Sequence, residues 1–156
     1  MSPNSWGGLA AYALALAAAL IPPVSGAASR SYVEHSVPPG SSPLPFSDAV
    51  LAGETLYVAG HIGIDPHTGN APADPAAEVH LVMDAVKRTV ESAGLTMDDL
   101  VSVTVFCTDL KLYDTFNAIY RTYFHGRYPA RAFIGTDKLL RSGHFEVQGV
   151  AIKSAP

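Results

Sequence analysis

Residues 75–110, "PAAEVHLVMDAVKRTVESAGLTMDDLVSVTVFCTDL", change their hydrophobic period partway along, and that change sets the fold class. In the first half Val79, Val82, Met83, Val86, Val90 and Ala93 recur at intervals of three and four, which lines one face of an α-helix. Asp74 stands where an N-cap belongs, Pro75 suits the first helical position, and Gly94 suits the left-handed residue past the end. In the second half the period drops to two. Val101, Val103, Val105 and Cys107 then share one face of a central strand, with Ser102, Thr104, Phe106 and Thr108 on the other.

Upstream, "SDAVLAGETLYVAGHIGID" gives two short apolar runs joined by Gly53-Glu54, the pattern of an antiparallel hairpin. A turn is expected at His67 to Asn70, and a short first strand at Tyr32 to Val37. Downstream, Phe116, Ile119, Tyr120, Tyr123 and Phe124 form the apolar stripe of a second helix that stops near Gly126. Strands at about 130–137 and 144–152 complete the order strand, strand, strand, helix, strand, helix, strand, strand. That order predicts an α+β sheet with both helices on one face. The other face needs a cover, which a subunit interface would supply.

With 156 residues, 48% hydrophobic and 15% charged, the chain fits one domain with a proper core. Its formal net charge of −4 argues against nucleic acid as an electrostatic partner. The single cysteine, Cys107, excludes an internal disulfide framework and leaves the compartment open.

Residues 1–28 have the layout of a secretory signal peptide. An apolar run from Leu9 to Ile21 is followed by Pro22-Pro23 and then by small residues, with cleavage expected after Ala27 or Ala28. The run falls short of the roughly 20 residues of a membrane span, so a periplasmic or secreted protein, free of the membrane after leader removal, is expected. No Lys or Arg precedes Leu9. A misassigned start, which would leave the protein cytoplasmic, and a retained anchor are the alternatives. Residues 29–43 read as linker and first strand, and 44–156 as the domain.

Among residues able to carry chemistry, six histidines form no pair at ligand spacing, and neither HExxH nor CxxC occurs, so no metal is expected. Cys107 lies in a run of valines where a thiol is inert core. Arg131, in "FHGRYPARAFIGTDKLL" (124–140), stands out because an arginine keeps its charge and needs a partner among such aliphatic neighbours. That partner is either a structural carboxylate, Glu146 or another acid from a neighbouring strand, or an anionic ligand held bidentately. On the last strand Glu146 and Gln148 share one face, from which both can reach toward Arg131.

From Leu44 to Ile152 the chain resembles the YjgF/RidA family of enamine and imine deaminases. The segments that carry the likeness are "PFSDAVLAGETLYVAG", "DPHTGNAPAD", "VTVFCTDLKLYDTFNAIYRTYF", "YPARAFI" and "FEVQGVAI". The resemblance implies a chorismate-mutase-like α+β fold and a homotrimer whose sheets pack into a central barrel, with three ligand clefts between subunits. It also implies that Arg131 grips the carboxylate of a 2-imino acid; Gln148 or Glu146 is expected to order the water, although the Glu146 position is not the one to which the family assigns water activation. Hydrolysis to a 2-oxo acid and ammonia would then need no cofactor. Substrate-binding positions carried over are Arg131, Phe46, Ala59, Gly60 and Phe133. Several depart from the family pattern: Phe46 replaces a tyrosine, Ala59 a serine or threonine, His61 a glutamine, Phe133 a cysteine and Gln148 a glutamate. The expected pocket is correspondingly more apolar. A non-catalytic trimer binding small carboxylates is the alternative function, and ribonuclease activity, which has been attached to the family, is a third.

Overall fold

The computed structural model describes residues 29–35, 42 and 44–153, so the leader expected over residues 1–28 lies outside the described residues. The elements are β1 (Arg30–Val33), β2 (Ala49–Ala52), β3 (Thr55–Ile62), α1 (Pro75–Ser92), β4 (Leu100–Cys107), α2 (Tyr113–Tyr120), β5 (Ala130–Gly135) and β6 (Phe145–Ile152). They form one six-stranded sheet in the order β1-β2-β3-β6-β4-β5. Only β4 and β5 run parallel; the remaining neighbours are antiparallel. The first strand ends at Val33, shorter than the sequence pattern suggests, and it pairs with β2 through Arg30↔Ala52 to Val33↔Ala49.

Local chemistry accounts for the main boundaries. The Asp74 side chain accepts from the Ala76 N–H at 3.1 Å and caps α1. At its other end Gly94 takes φ +77°, and the N–H groups of Gly94 and Leu95 return to the carbonyls of Glu91 and Val90. Gly53, at φ +62°, makes the hairpin turn between β2 and β3.

The helices cover a single face of the sheet. Val79, Val82, Met83, Val86 and Val90 of α1 and Phe116 and Tyr120 of α2 are buried against Leu56, Val58, Val103, Val105, Phe145 and Val147. Each aliphatic side chain so removed from water contributes roughly 1.5–3 kcal/mol. One position differs from the period-two reading. Val101 is 44% exposed and Leu100 is buried in its place, because the β4–β6 register shifts between Leu100 and Ser102. The second helix is also shorter than its stripe. After Tyr120 the chain tightens into a 3₁₀ turn, Arg121–Tyr123, that still brings Phe124 into the core.

The opposite face is open. It carries Tyr57, Phe106 and Ile134 beside Ser102, Thr104 and Gln148, and Tyr57 is 54% exposed. Among the described residues no helix is long and apolar enough to cross a membrane.

Candidate functional site

Arg131 lies on β5, an edge strand, and pairs with Val103 in the parallel register; Phe133 pairs with Val105. Cross-strand partners share a face, so both side chains point toward the helices. There the guanidinium carbon sits 4.6 Å from the ring centre of Tyr120, 5.6 Å from Phe133, 5.8 Å from Tyr113 and 5.9 Å from Phe116. Such aromatic faces stabilise a cation without neutralising it. Nη2 donates to Oδ1 of Asn117 at 2.7 Å, and Asn117 is itself only 7% exposed. Among the described residues Arg131 has no carboxylate at ion-pair distance. The expected alternative of a structural bridge to Glu146 is therefore corrected: Glu146 pairs with Phe106 on the open face of the sheet.

The guanidinium opens into a cleft of about 270 Å³ whose walls include Tyr113, Asn117, Tyr120, Arg121, Tyr128 and Pro129. No acidic side chain lines it. Tyr120 is 3% exposed and its hydroxyl has no hydrogen-bond partner among the described residues, while burial, against the opposing pull of Arg131, pushes its pKa up to about 12. The phenol thus stays protonated and able to donate.

Phe46, Ala59, Gly60 and Glu146 gather elsewhere, around a second cavity of about 560 Å³ that His61, Leu140 and Arg141 also line. A side chain at position 60 would meet the Glu146 carboxylate, which would have to swing aside. The strand order puts three inter-strand steps, at about 4.8 Å each, between β3 and β5, and two between β6, which carries Glu146, and β5. Arg131 and Phe133 are consequently separated by both distance and sheet face from the Phe46–Glu146 group. Gln148 joins neither. It pairs with Thr104 on the open face, beside Tyr57 and Ser102 in a shallow hollow of its own. Glu146 and Gln148 do share a face, as alternation requires, yet within one chain neither faces Arg131.

His61 is not a solvated turn residue. It lies on β3 past a bulge, opposite buried Val147, with Nε2 3.2 Å from Thr89 Oγ1 on α1. Burial holds its pKa below the ordinary value, opposed by the Asp48 carboxylate and assisted by His35 and Arg88. Cys107 is fully buried, its thiol donates to the Asp109 carbonyl at 3.1 Å, and burial raises its pKa, so it is inert core. Residues that the sequence pattern did not single out are Asn117, Arg121 and Tyr128. The available signal was Asn117, a polar residue beside Phe116 in an otherwise apolar helix face.

The family model described as Endoribonuclease L-PSP matches residues 40–153. The 2-iminobutanoate/2-iminopropanoate deaminase of Escherichia coli K12 is 35% identical over 112 residues, 70% of this chain and 88% of that protein. The rat protein of the same name is 34% identical over 109 residues, 69% of this chain and 80% of its own. Among solved structures, the YjgF gene product of E. coli superposes with a TM-score of 0.67 at 34% identity, covering 70% of this chain and 89% of that one. RidA from an Antarctic Psychrobacter gives 0.67 at 26% identity, covering 82% and 99%. With its α+β sheet, its paired helices and a likeness that spans nearly all of the described residues, the chain belongs to the YjgF/RidA family.

Proposed function

We propose that this protein hydrolyses reactive 2-imino acids, and the enamines in equilibrium with them, to 2-oxo acids and ammonia. The observation that carries this reading is Arg131, a cation with no ion-pair partner among the described residues, held by Asn117 and four aromatic rings at the wall of a cleft that no acid of those residues lines. Such a guanidinium offers its remaining donors to a ligand carboxylate. In the reaction water adds through oxygen to the imine carbon. Nitrogen gains the protons, the C–N bond breaks as C=O forms, and ammonia leaves. An imine carbon is electrophilic enough for orientation and proton transfer to suffice. Glu146 is the carboxylate suited to move those protons; Gln148 is an amide, which cannot act as a base, and it lines a separate hollow.

The active unit in this reading is a homotrimer. The Arg131 cleft of one copy and the Phe46–Glu146 cavity of another form one site between subunits, since a single chain holds them apart. The open sheet face supports the same assembly, because its Tyr57, Phe106 and Ile134 would line a shared barrel. Ribonuclease action, despite the description of the matching family model, is disfavoured by the net charge of −4.

The test generates 2-iminobutanoate with an amino-acid oxidase and traps what survives with semicarbazide. Wild-type protein is expected to lower the trapped signal and Arg131→Ala to restore it. An equal signal with and without wild-type protein would leave the family fold without the deaminase reaction.

A further inference from the structure

The Arg131 cleft holds a second arginine. Arg121, in the turn that follows α2, lines the same walls, is exposed, and among the described residues has no ion-pair partner. Acidic residues outnumber basic ones in this chain, 14 to 10, yet none lines this cleft. Two arginines without an ion-pair partner among the described residues line one cleft and leave a local positive field in an acidic protein. The buried, unpartnered hydroxyl of Tyr120 adds a third group with unused hydrogen-bonding capacity in the same walls. A monocarboxylate would satisfy Arg131 alone. Within one chain the cleft holds about 270 Å³, room for a small diacid beside the two arginines.

We propose that the ligand of this cleft carries two acidic groups: it is a 2-imino or 2-oxo dicarboxylate whose first carboxylate is held by Arg131 and whose second meets Arg121 at the exposed side. The proposal rests on the reading of Arg131 given above and narrows its substrate class. Arg131, caged by rings and fixed by Asn117, provides the rigid anchor; Arg121, free to move, reads the far end. An exposed pair contributes little, so the preference for a diacid over a monoacid is expected to be about fivefold.

Calorimetric titration of the full chain with 2-oxoglutarate, 2-oxobutanoate and phenylpyruvate tests it. The expected result is that 2-oxoglutarate binds about fivefold more tightly than 2-oxobutanoate. In Arg121→Gln that ratio falls toward one, whereas in Arg127→Gln, which removes an exposed charge outside the cleft lining, it stays as in wild type. Equal binding of the two acids by wild type, or the same loss in both variants, would overturn the proposal, the second by showing only a diffuse field. Tightest binding of phenylpyruvate would overturn it as well, making the tyrosine walls the recognition element. Arg131→Gln separates the two readings. If it abolishes 2-oxobutanoate binding while wild type shows no diacid preference, only the dicarboxylate proposal falls. Should 2-oxobutanoate binding survive it, or none of the acids bind wild type, the carboxylate-anchor reading falls too.

Discussion

A charge among aliphatic residues has to be balanced by something, and at Arg131 the balance is incomplete within the described chain. One hydrogen bond to Asn117 and the faces of four rings hold the guanidinium without neutralising it. The need for a partner was legible in "YPARAFI"; the choice between protein carboxylate and ligand was not. That choice depends on which face of β5 the side chain takes and on what the distant second helix brings to it. His61 is the converse case, a residue whose neighbourhood reverses its apparent character. Beside Gly60 it reads as a turn residue, but a bulge in β3 turns it inward onto Thr89. Its pKa in the folded chain lies below the ordinary 6.5, chiefly through burial. The unfolded chain therefore binds a proton that the folded chain refuses as pH falls below that ordinary value. The contribution of neutral His61 is fully present above pH 6.5 and is lost as pH drops through the folded pKa. Urea midpoints taken at fixed protein concentration should fall less between neutral and mildly acidic pH in His61→Gln than in wild type. Parallel falls in the two proteins would mean that His61 does not carry this acid sensitivity.

At the scale of elements, α1 was the most legible part of the chain because its apolar spacing, Asp74 cap and Gly94 stop agree with one another. The β4 face was legible except at Val101, where a register shift moves Leu100 inward in its place; such shifts follow from pairing with β6 and leave no mark on periodicity. Nor did spacing reveal how α1 is tied to β6. Glu78, fully buried in the first turn of α1, accepts from the backbone N–H of His144 at 2.6 Å and of Phe145 at 2.9 Å through one oxygen. Through the other it accepts from His144 Nδ1 at 2.6 Å. This brace fixes the start of the strand that presents Glu146. Removing it by Glu78→Ala strands three donors, two of them on the backbone, and is expected to cost about 3 kcal/mol or more in denaturant unfolding. Glu78→Gln keeps an accepting oxygen for the backbone N–H groups and should cost less than half as much. Equal losses in the two variants would show that the side chain's charge, not its hydrogen bonding to β6, matters here.

At the scale of the molecule, the residues expected to form one site fall into groups that the sheet itself keeps apart. Arg131 and Phe133 face the helices at one edge, while Phe46, Ala59, Gly60 and Glu146 gather around another cavity, with Ala59 and Gly60 three strand spacings, about 14 Å, from β5 and Glu146 two spacings from it. In the proposed trimer they are joined by a rotation between copies, which leaves no local sequence signature. In the trimer proposed above, the face that presents Tyr57, Phe106, Thr104 and Ile134 is the natural contact, and its loss should separate the two halves of the site. Ile134 is the position to test. It is 42% exposed on the edge strand, pairs with Phe106 on the open face, and lies on the opposite side from the core, so a charge there spares the fold. Ile134→Glu is expected to keep the far-ultraviolet circular dichroism of wild type, to shift the sedimentation mass from three chains to one, and to lose imine hydrolysis although Arg131 is intact. The coupling is the informative part. A variant that sediments as a single chain and still hydrolyses the imine would place the whole reaction within one subunit, and one that remains a trimer would show that the contact lies on another surface.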